Sequence, residues 1–348
     1  MAQLIAPSDD RLSWWSPQPP LLLAHGMRLP RFPRSVAAHL AGQIGPLANL
    51  RSSSGCGVRW RSDSPWVEVR LSGLHHHQPF PVSIALEIED QQGIRSVCSP
   101  DLREHRGELA VWLPTGCERG GPRAQMTLWL PLISTCDVAG ILIADGAQLA
   151  PAPPLQPRWL AIGDSLTQGF SVQSPLDAWV HRLARRFDLP VWNLGVGGIR
   201  IEPEVFVWAL ATRTWDLVTI ALGSNHAWRD EDLATLAERA AELARIACSG
   251  QHRRLVWLLP PWKPCEDGLG PTEFQGVPLN GHTAARLRAV RQTLADALAA
   301  FAPRLELISD YVPHDPRLLP DGLHPQAHGS ALIAQRLEEL LAPAAGAA

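Results

Sequence analysis

Four short stretches hold residue types that can do chemistry together. The first is LAIGDSLTQGF, residues 160–170, where an apolar run stops at a glycine and presents Asp164 and Ser165. A serine hydroxyl is a weak nucleophile at neutral pH and needs a base, an acid to orient that base, and donors for the developing oxyanion. The second stretch, Asp321-Gly-Leu-His324-Pro, offers the base and the acid. An aspartate three residues before a histidine, across a glycine turn, brings a carboxylate to Nδ1 and leaves Nε2 to face a serine. The third, Gly223-Ser-Asn225, carries a side-chain amide, and the fourth, Asn193-Leu-Gly-Val-Gly-Gly198, a glycine-rich turn whose N–H groups can approach a ligand closely. Each has a plainer reading: a strand-to-helix turn, a chance Asp-x-x-His, a tight turn or a phosphate cradle. A Rossmann cradle is disfavoured because the spacing is not G-x-G-x-x-G.

The elements that must position these residues follow from periodicity. From residue 158 onward, strand-like runs at 158–162, 190–194, 216–222, 254–259 and 304–308 alternate with helical patterns at about 175–187, 202–212, 230–248, 281–302 and 325–341. Asp230, Glu231 and Asp232 suit the positive end of one of these helices. Five such units predict a doubly wound parallel sheet of flavodoxin-like type, which binds ligands beyond the carboxyl ends of its strands. All four stretches fall at such ends.

Residues 1–150 read differently. Short runs at 57–60, 66–71, 82–88, 109–113, 126–131 and 138–143 are separated by turn residues, and several alternate apolar and polar side chains. That pattern predicts an antiparallel β-sandwich, jelly-roll-like, as a separate domain. Residues 150–157, APAPPLQP, hold four prolines and read as a stiff linker, 151–157, before a catalytic domain at 158–348.

With the residues and elements in view, the pattern resembles the SGNH (GDSL) hydrolases. GDSLTQG is similar to their first block, NLGVGG to the second, GSN to the third and DGLHP to the last. The resemblance spans 158–342 and implies a serine esterase with Ser165 as nucleophile, His324 as base and Asp321 as its orienting acid. It further implies an oxyanion hole from the N–H groups of Ser165 and Gly198 and the amide of Asn225. One departure stands out: the third block usually reads Gly-x-Asn-Asp, and His226 takes the place of its acid. The first half more loosely resembles the β-sandwich that precedes the catalytic domain in two-domain esterases, among them carbohydrate (acetyl) esterases.

The expected reaction is hydrolysis of short-chain esters, acetyl first, on a carbohydrate or another small alcohol. A lipase or arylesterase without sugar preference, an acyltransferase, and a carbohydrate-binding protein with an inactive hydrolase domain are the alternatives. Trp228, Trp262 and His226 are expected to line the substrate pocket; the long 260–280 segment is either a lid or a surface excursion. His75, His76 and His77 read as a solvated loop rather than a metal site, and no metal or cofactor is expected. The formal net charge of −3 argues against a nucleic-acid partner. No apolar run reaches the ~18 residues that span a bilayer. With no signal-like start, the expectation is a cytoplasmic protein whose six cysteines are free thiols.

Overall fold

The structure is a computed structural model that describes residues 2–228, 233–279 and 282–342. The chain divides into two units, Met1–Gln156 with Val172–Leu176, and Pro157–Ser171 with Asp177–Ala348.

The first unit holds two antiparallel sheets. In one, strands Leu21–Leu23, Gly26–Arg28, Ser134–Ala144, Trp66–His76 and Gly107–Pro114 lie in that order, with Ala2–Ile5 also paired to Ser134–Ala144. In the other the order is Leu149–Ala150, Gly57–Ser62, Ala124–Trp129, Ala85–Asp90 and Gly93–Cys98, with Ser13–Trp15 on Gly57–Ser62. The alternation that predicted strands is also what buries one row of side chains: Val67, Val69 and Leu71 are at most 2% exposed while Arg70 between them is exposed. The proline-rich stretch does not hang free of this unit. Leu149–Ala150 adds a strand to Gly57–Ser62, and the Arg59 guanidinium donates to the Pro153 carbonyl at 2.7 Å. The three histidines differ from the expected solvated loop as well. They end or follow the long strand Trp66–His76, where His76 is 8% exposed and bonded to Ser134 Oγ, and His77 meets Thr135 Oγ1.

The second unit is a five-stranded, all-parallel sheet. Counted along the chain its strands are Trp159–Gly163, Val191–Gly195, Leu217–Ala221, Arg254–Leu258 and Glu306–Ile308, and in space they run second, first, third, fourth, fifth. Each begins or ends within a residue or two of its expected position. Apolar runs without alternation make such strands, because both faces of a parallel sheet are covered. Trp159, Ala161, Val256 and Leu258 pack with Trp179, Leu183, Ile333 and Leu337 from the helices Trp179–Arg186 and Ala327–Leu341. The alternate set, Leu160, Ile162, Val218, Ile220 and Trp257, is buried toward the other face. Helices Pro203–Thr212, Leu233–Ser249 and His282–Leu298 pack there in series. The acidic run Asp230–Asp232 lies outside the described residues. Strand order reverses between the first and third strands, and the crevice at that switch is where such a sheet takes its ligand.

Candidate active site

Ser165 sits two residues past the first strand, at the start of the one-turn helix Ser165–Gln168. Asp164 caps that turn, its Oδ1 accepting the Leu166 N–H at 3.0 Å. A Cβ at residue 163 would lie 2.0 Å from Thr167 Oγ1, so only glycine lets the helix turn this tightly against its strand. The turn is tied to the second strand end. The Asn193 amide donates to the Thr167 carbonyl at 2.8 Å, and Gln168 Oε1 accepts the Gly197 N–H at 2.6 Å.

The Asp321–His324 loop meets this turn. His324 Nε2 is 2.9 Å from Ser165 Oγ, and His324 Nδ1 is 2.8 Å from Asp321 Oδ2. Asp321 Oδ1 accepts the N–H groups of Leu323 (2.9 Å) and His324 (2.7 Å), and Ser171 Oγ donates to Oδ2 at 3.3 Å. Burial acts to raise the Asp321 pKa, but the hydrogen bond and charge of His324 and the two backbone donors more than offset it and hold the carboxyl down at about 2. An ionised carboxylate on Nδ1 fixes the tautomer that leaves Nε2 to accept the serine proton. Ser165 is 8% exposed and His324 4%. The rings of Phe170 and Phe274 both pack against the imidazole, at 5.2 and 5.3 Å between centroids.

The expected oxyanion donors stand at the neighbouring strand ends. Gly198 has φ +78°, a left-handed conformation suited to glycine. Among the described residues neither its N–H nor that of Ser165 is spent on a hydrogen bond within the chain. Asn225 donates one amide hydrogen to the Ile199 carbonyl at 2.8 Å, which orients the group and leaves the second hydrogen.

Two expected pocket residues are placed otherwise. Trp262 is 8% exposed, donates from Nε1 to Asp267 Oδ2 at 2.8 Å, and stacks on His314 at 4.8 Å, within the core between the sheet and the C-terminal helix. His226 is 3% exposed, and its Nε2 accepts the Ile201 N–H at 3.0 Å. Both side chains spend their polar atoms on the protein itself. Trp228 ends the turn Ser224–Trp228, and its side chain lies outside the described residues.

Sequence reasoning missed Phe170, Phe274 and Lys263. Phe274 rides on a small hairpin, Glu273–Phe274 with Val277–Pro278, inside the 260–280 segment. Nothing in its local pattern signals that it reaches His324. Lys263 did carry a signal: it is the only lysine in the sequence. Among the described residues no cluster of His, Cys, Asp and Glu could hold a metal ion, and no helix is long and apolar enough to cross a membrane.

Residues 161–332 match the model of the GDSL-like Lipase/Acylhydrolase family. No curated protein is similar in sequence to this chain. Solved structures share its fold along most of its length. The salicylyl-acyltransferase SsfX3 from a tetracycline biosynthetic pathway is 20% identical with a TM-score of 0.73, over 97% of this chain and 96% of that one. A GDSL-like lipase, described as putative, from Bacteroides ovatus is 13% identical with a TM-score of 0.78, over 98% and 97%. A family two carbohydrate esterase from Clostridium thermocellum, in complex with cellohexaose, is 15% identical with a TM-score of 0.56, over 83% and 92%.

Proposed function

We propose that the chain, whose residues 161–332 match the model of the GDSL-like lipase/acylhydrolase family, is a carboxylic ester hydrolase of that family, a serine esterase acting through Ser165, His324 and Asp321. The observation that carries the proposal is the unbroken relay from Asp321 Oδ2 to His324 Nδ1 (2.8 Å) and from His324 Nε2 to Ser165 Oγ (2.9 Å). Ser165 Oγ attacks the ester carbonyl while His324 takes its proton. His324 then returns that proton to the departing alcohol, leaving an acyl-enzyme that water hydrolyses by the same steps. Asp321 holds the imidazole and stabilises its charged form. The N–H groups of Ser165 and Gly198 and the free amide hydrogen of Asn225 receive the oxyanion.

The acyl group we propose is short, acetyl foremost, and the alcohol a carbohydrate or similar polyol. Two features support this: the rings of Phe170 and Phe274 crowd the imidazole, and the first unit, which we read as a jelly-roll-like β-sandwich, gives the chain the two-domain plan of carbohydrate esterases. A panel of nitrophenyl esters from two to sixteen carbons, run beside acetylated sugars, tests it. Preference for twelve or more carbons over two would replace this reading with a lipase. Acyl transfer to an alcohol is the second reading. The near-complete enclosure of Ser165 and His324, 8% and 4% exposed, favours it, because an acyl-enzyme shielded from water survives to meet another acceptor. The ratio of transfer to hydrolysis with added glycerol or sugar distinguishes the two.

A further inference from the structure

Every strand of the parallel sheet except the fourth ends in a residue already assigned: Ser165 after the first, Gly198 after the second, Asn225 after the third, Asp321 and His324 after the fifth. Lys263 stands five residues past the fourth, Arg254–Leu258. It is the only lysine among 348 residues; every other Lys-or-Arg position is arginine. A chain that uses arginine for every other fixed charge keeps one compact ammonium, and that ammonium is 1% exposed. A buried cation costs several kcal/mol unless it is paired, so its surroundings must offset that cost.

They do so at two points of the site. Lys263 Nζ donates to the carbonyl of Leu323 at 2.5 Å, the residue directly before His324. The carboxylates whose charge acts on it are Asp164, under the Ser165 turn, and Asp321, followed by Glu266. Glu266 is already committed to Arg291 at 2.8 Å. Asp164 is 3% exposed, and burial raises its carboxyl pKa on balance, against the Leu166 N–H and the charges of Lys263 and His324. Asp164 and Tyr311, with Thr167 and Ser224, line a cavity of about 10 Å³, which admits no more than one water.

We propose that Lys263 is a positioning residue of the esterase: its ammonium pins the Leu323 carbonyl and so holds the Asp321–His324 loop against the Ser165 turn. The proposal rests on the Ser165–His324–Asp321 reading above. Arginine cannot substitute simply, because a planar guanidinium fills a larger, flatter space than a tetrahedral ammonium. Burial pushes the Lys263 pKa down to about 8, with Asp164, Asp321, Cys265 and Glu266 opposing the fall. Loss of the proton on the alkaline side therefore removes the charge and weakens the bond to the Leu323 carbonyl within the range where an esterase can be assayed.

A single lysine makes the test direct. The full chain labelled with 13Cε-lysine has one side-chain lysine resonance, and its titration is compared with the pH profile of kcat on a nitrophenyl acetate. The expected results are a midpoint near pH 8 and an alkaline fall in kcat at the same pH. Lys263→Met should lower kcat about 10- to 100-fold, change KM less than threefold, and abolish that alkaline fall. Phosphonylation of Ser165 by a fluorophosphonate should slow by the same factor as kcat. A lysine that titrates near 10.5, an alkaline fall retained in Lys263→Met, or kcat within twofold of the parent would overturn the proposal. If Lys263→Met does not fold, agreement or disagreement of the two midpoints in the parent chain decides alone. Full activity in Ser165→Ala would instead sink the serine-esterase reading, whatever Lys263 does.

Discussion

His324 and His226 stand past the carboxyl ends of strands in one sheet, and both are less than 5% exposed. Their partners make them opposite groups. His324 has a carboxylate on one ring nitrogen and a serine hydroxyl on the other. His226 accepts a backbone N–H, and burial, with Arg200, Arg286 and Arg239 around it, pushes its pKa down to about 4. In the proposed reaction one imidazole gains a proton; the other stays neutral until the pH falls toward 4. The difference teaches that burial alone does not make a histidine a base. The group on the second nitrogen does.

The widest break in this comparison is catalytic. His324→Ala and Ser165→Ala should each lower kcat by about 10⁴-fold or more, and their double mutant should be little worse than either, because the two act as a unit. Steady-state kinetics on a short-chain nitrophenyl ester, with circular dichroism to show an intact fold, checks it. An inactive His226→Ala beside an active His324→Ala would invert the assignment.

The next effect concerns the oxyanion. Asn225→Ala should cost about 10²–10³ in kcat, the usual loss for one donor, with a smaller change in KM. The same substitution removes the bond to the Ile199 carbonyl. Asn225→Asp keeps the size but cannot donate, so it should be at least as slow. A loss under threefold in either variant would mean that the amide does not face the reacting carbonyl.

A smaller effect concerns Phe274. Removing its ring opens space beside His324 without touching Ser165. Phe274→Ala should raise the rate on an eight-carbon ester relative to acetyl by about three- to tenfold, given ~0.8 kcal/mol for each methylene that finds an apolar wall. An unchanged ratio would show that the acyl chain leaves in another direction.

The site's legibility followed from sheet geometry. Ser165, Asn225, Asp321 and His324 stand at ends of strands that sequence pattern had located within a residue or two, and parallel strands advertise themselves as unbroken apolar runs. What failed to show was whatever depends on non-local packing. Gly93–Cys98 escaped as a strand because it lies at a sheet edge with no buried row to create alternation. Trp262 was expected to line the pocket from its place after the fourth strand, but an indole with an acceptor at hand and a ring to stack on goes to the core. Lys263, one residue further on, was hidden in a segment without period.

The last prediction uses His226 to separate stability from catalysis. His226→Ala should keep kcat within about tenfold of the parent, since Asn225 still holds the same loop through Ile199. Its stability should change in a particular pH window. The folded pKa, about 4, lies below the ordinary 6.5. The unfolded chain therefore binds a proton more readily than the folded one as pH falls from 6.5 toward 4. The stability due to keeping His226 neutral is complete above 6.5 and is lost through that window, by up to about 3 kcal/mol. His76, His77 and His252 are also shifted down by burial, so the parent's acid lability is shared. What isolates His226 is the difference between parent and variant. At pH 7.5 the variant should melt lower, having lost a buried hydrogen bond worth about 1–3 kcal/mol. Near pH 4.5 the gap should narrow or close, because the parent then carries a cost that the variant lacks. Thermal melts of both chains from pH 4.5 to 7.5 measure it. A gap that stays constant across the window would mean that His226 titrates alike in the folded and unfolded chains, and the contrast with His324 would then rest on geometry alone.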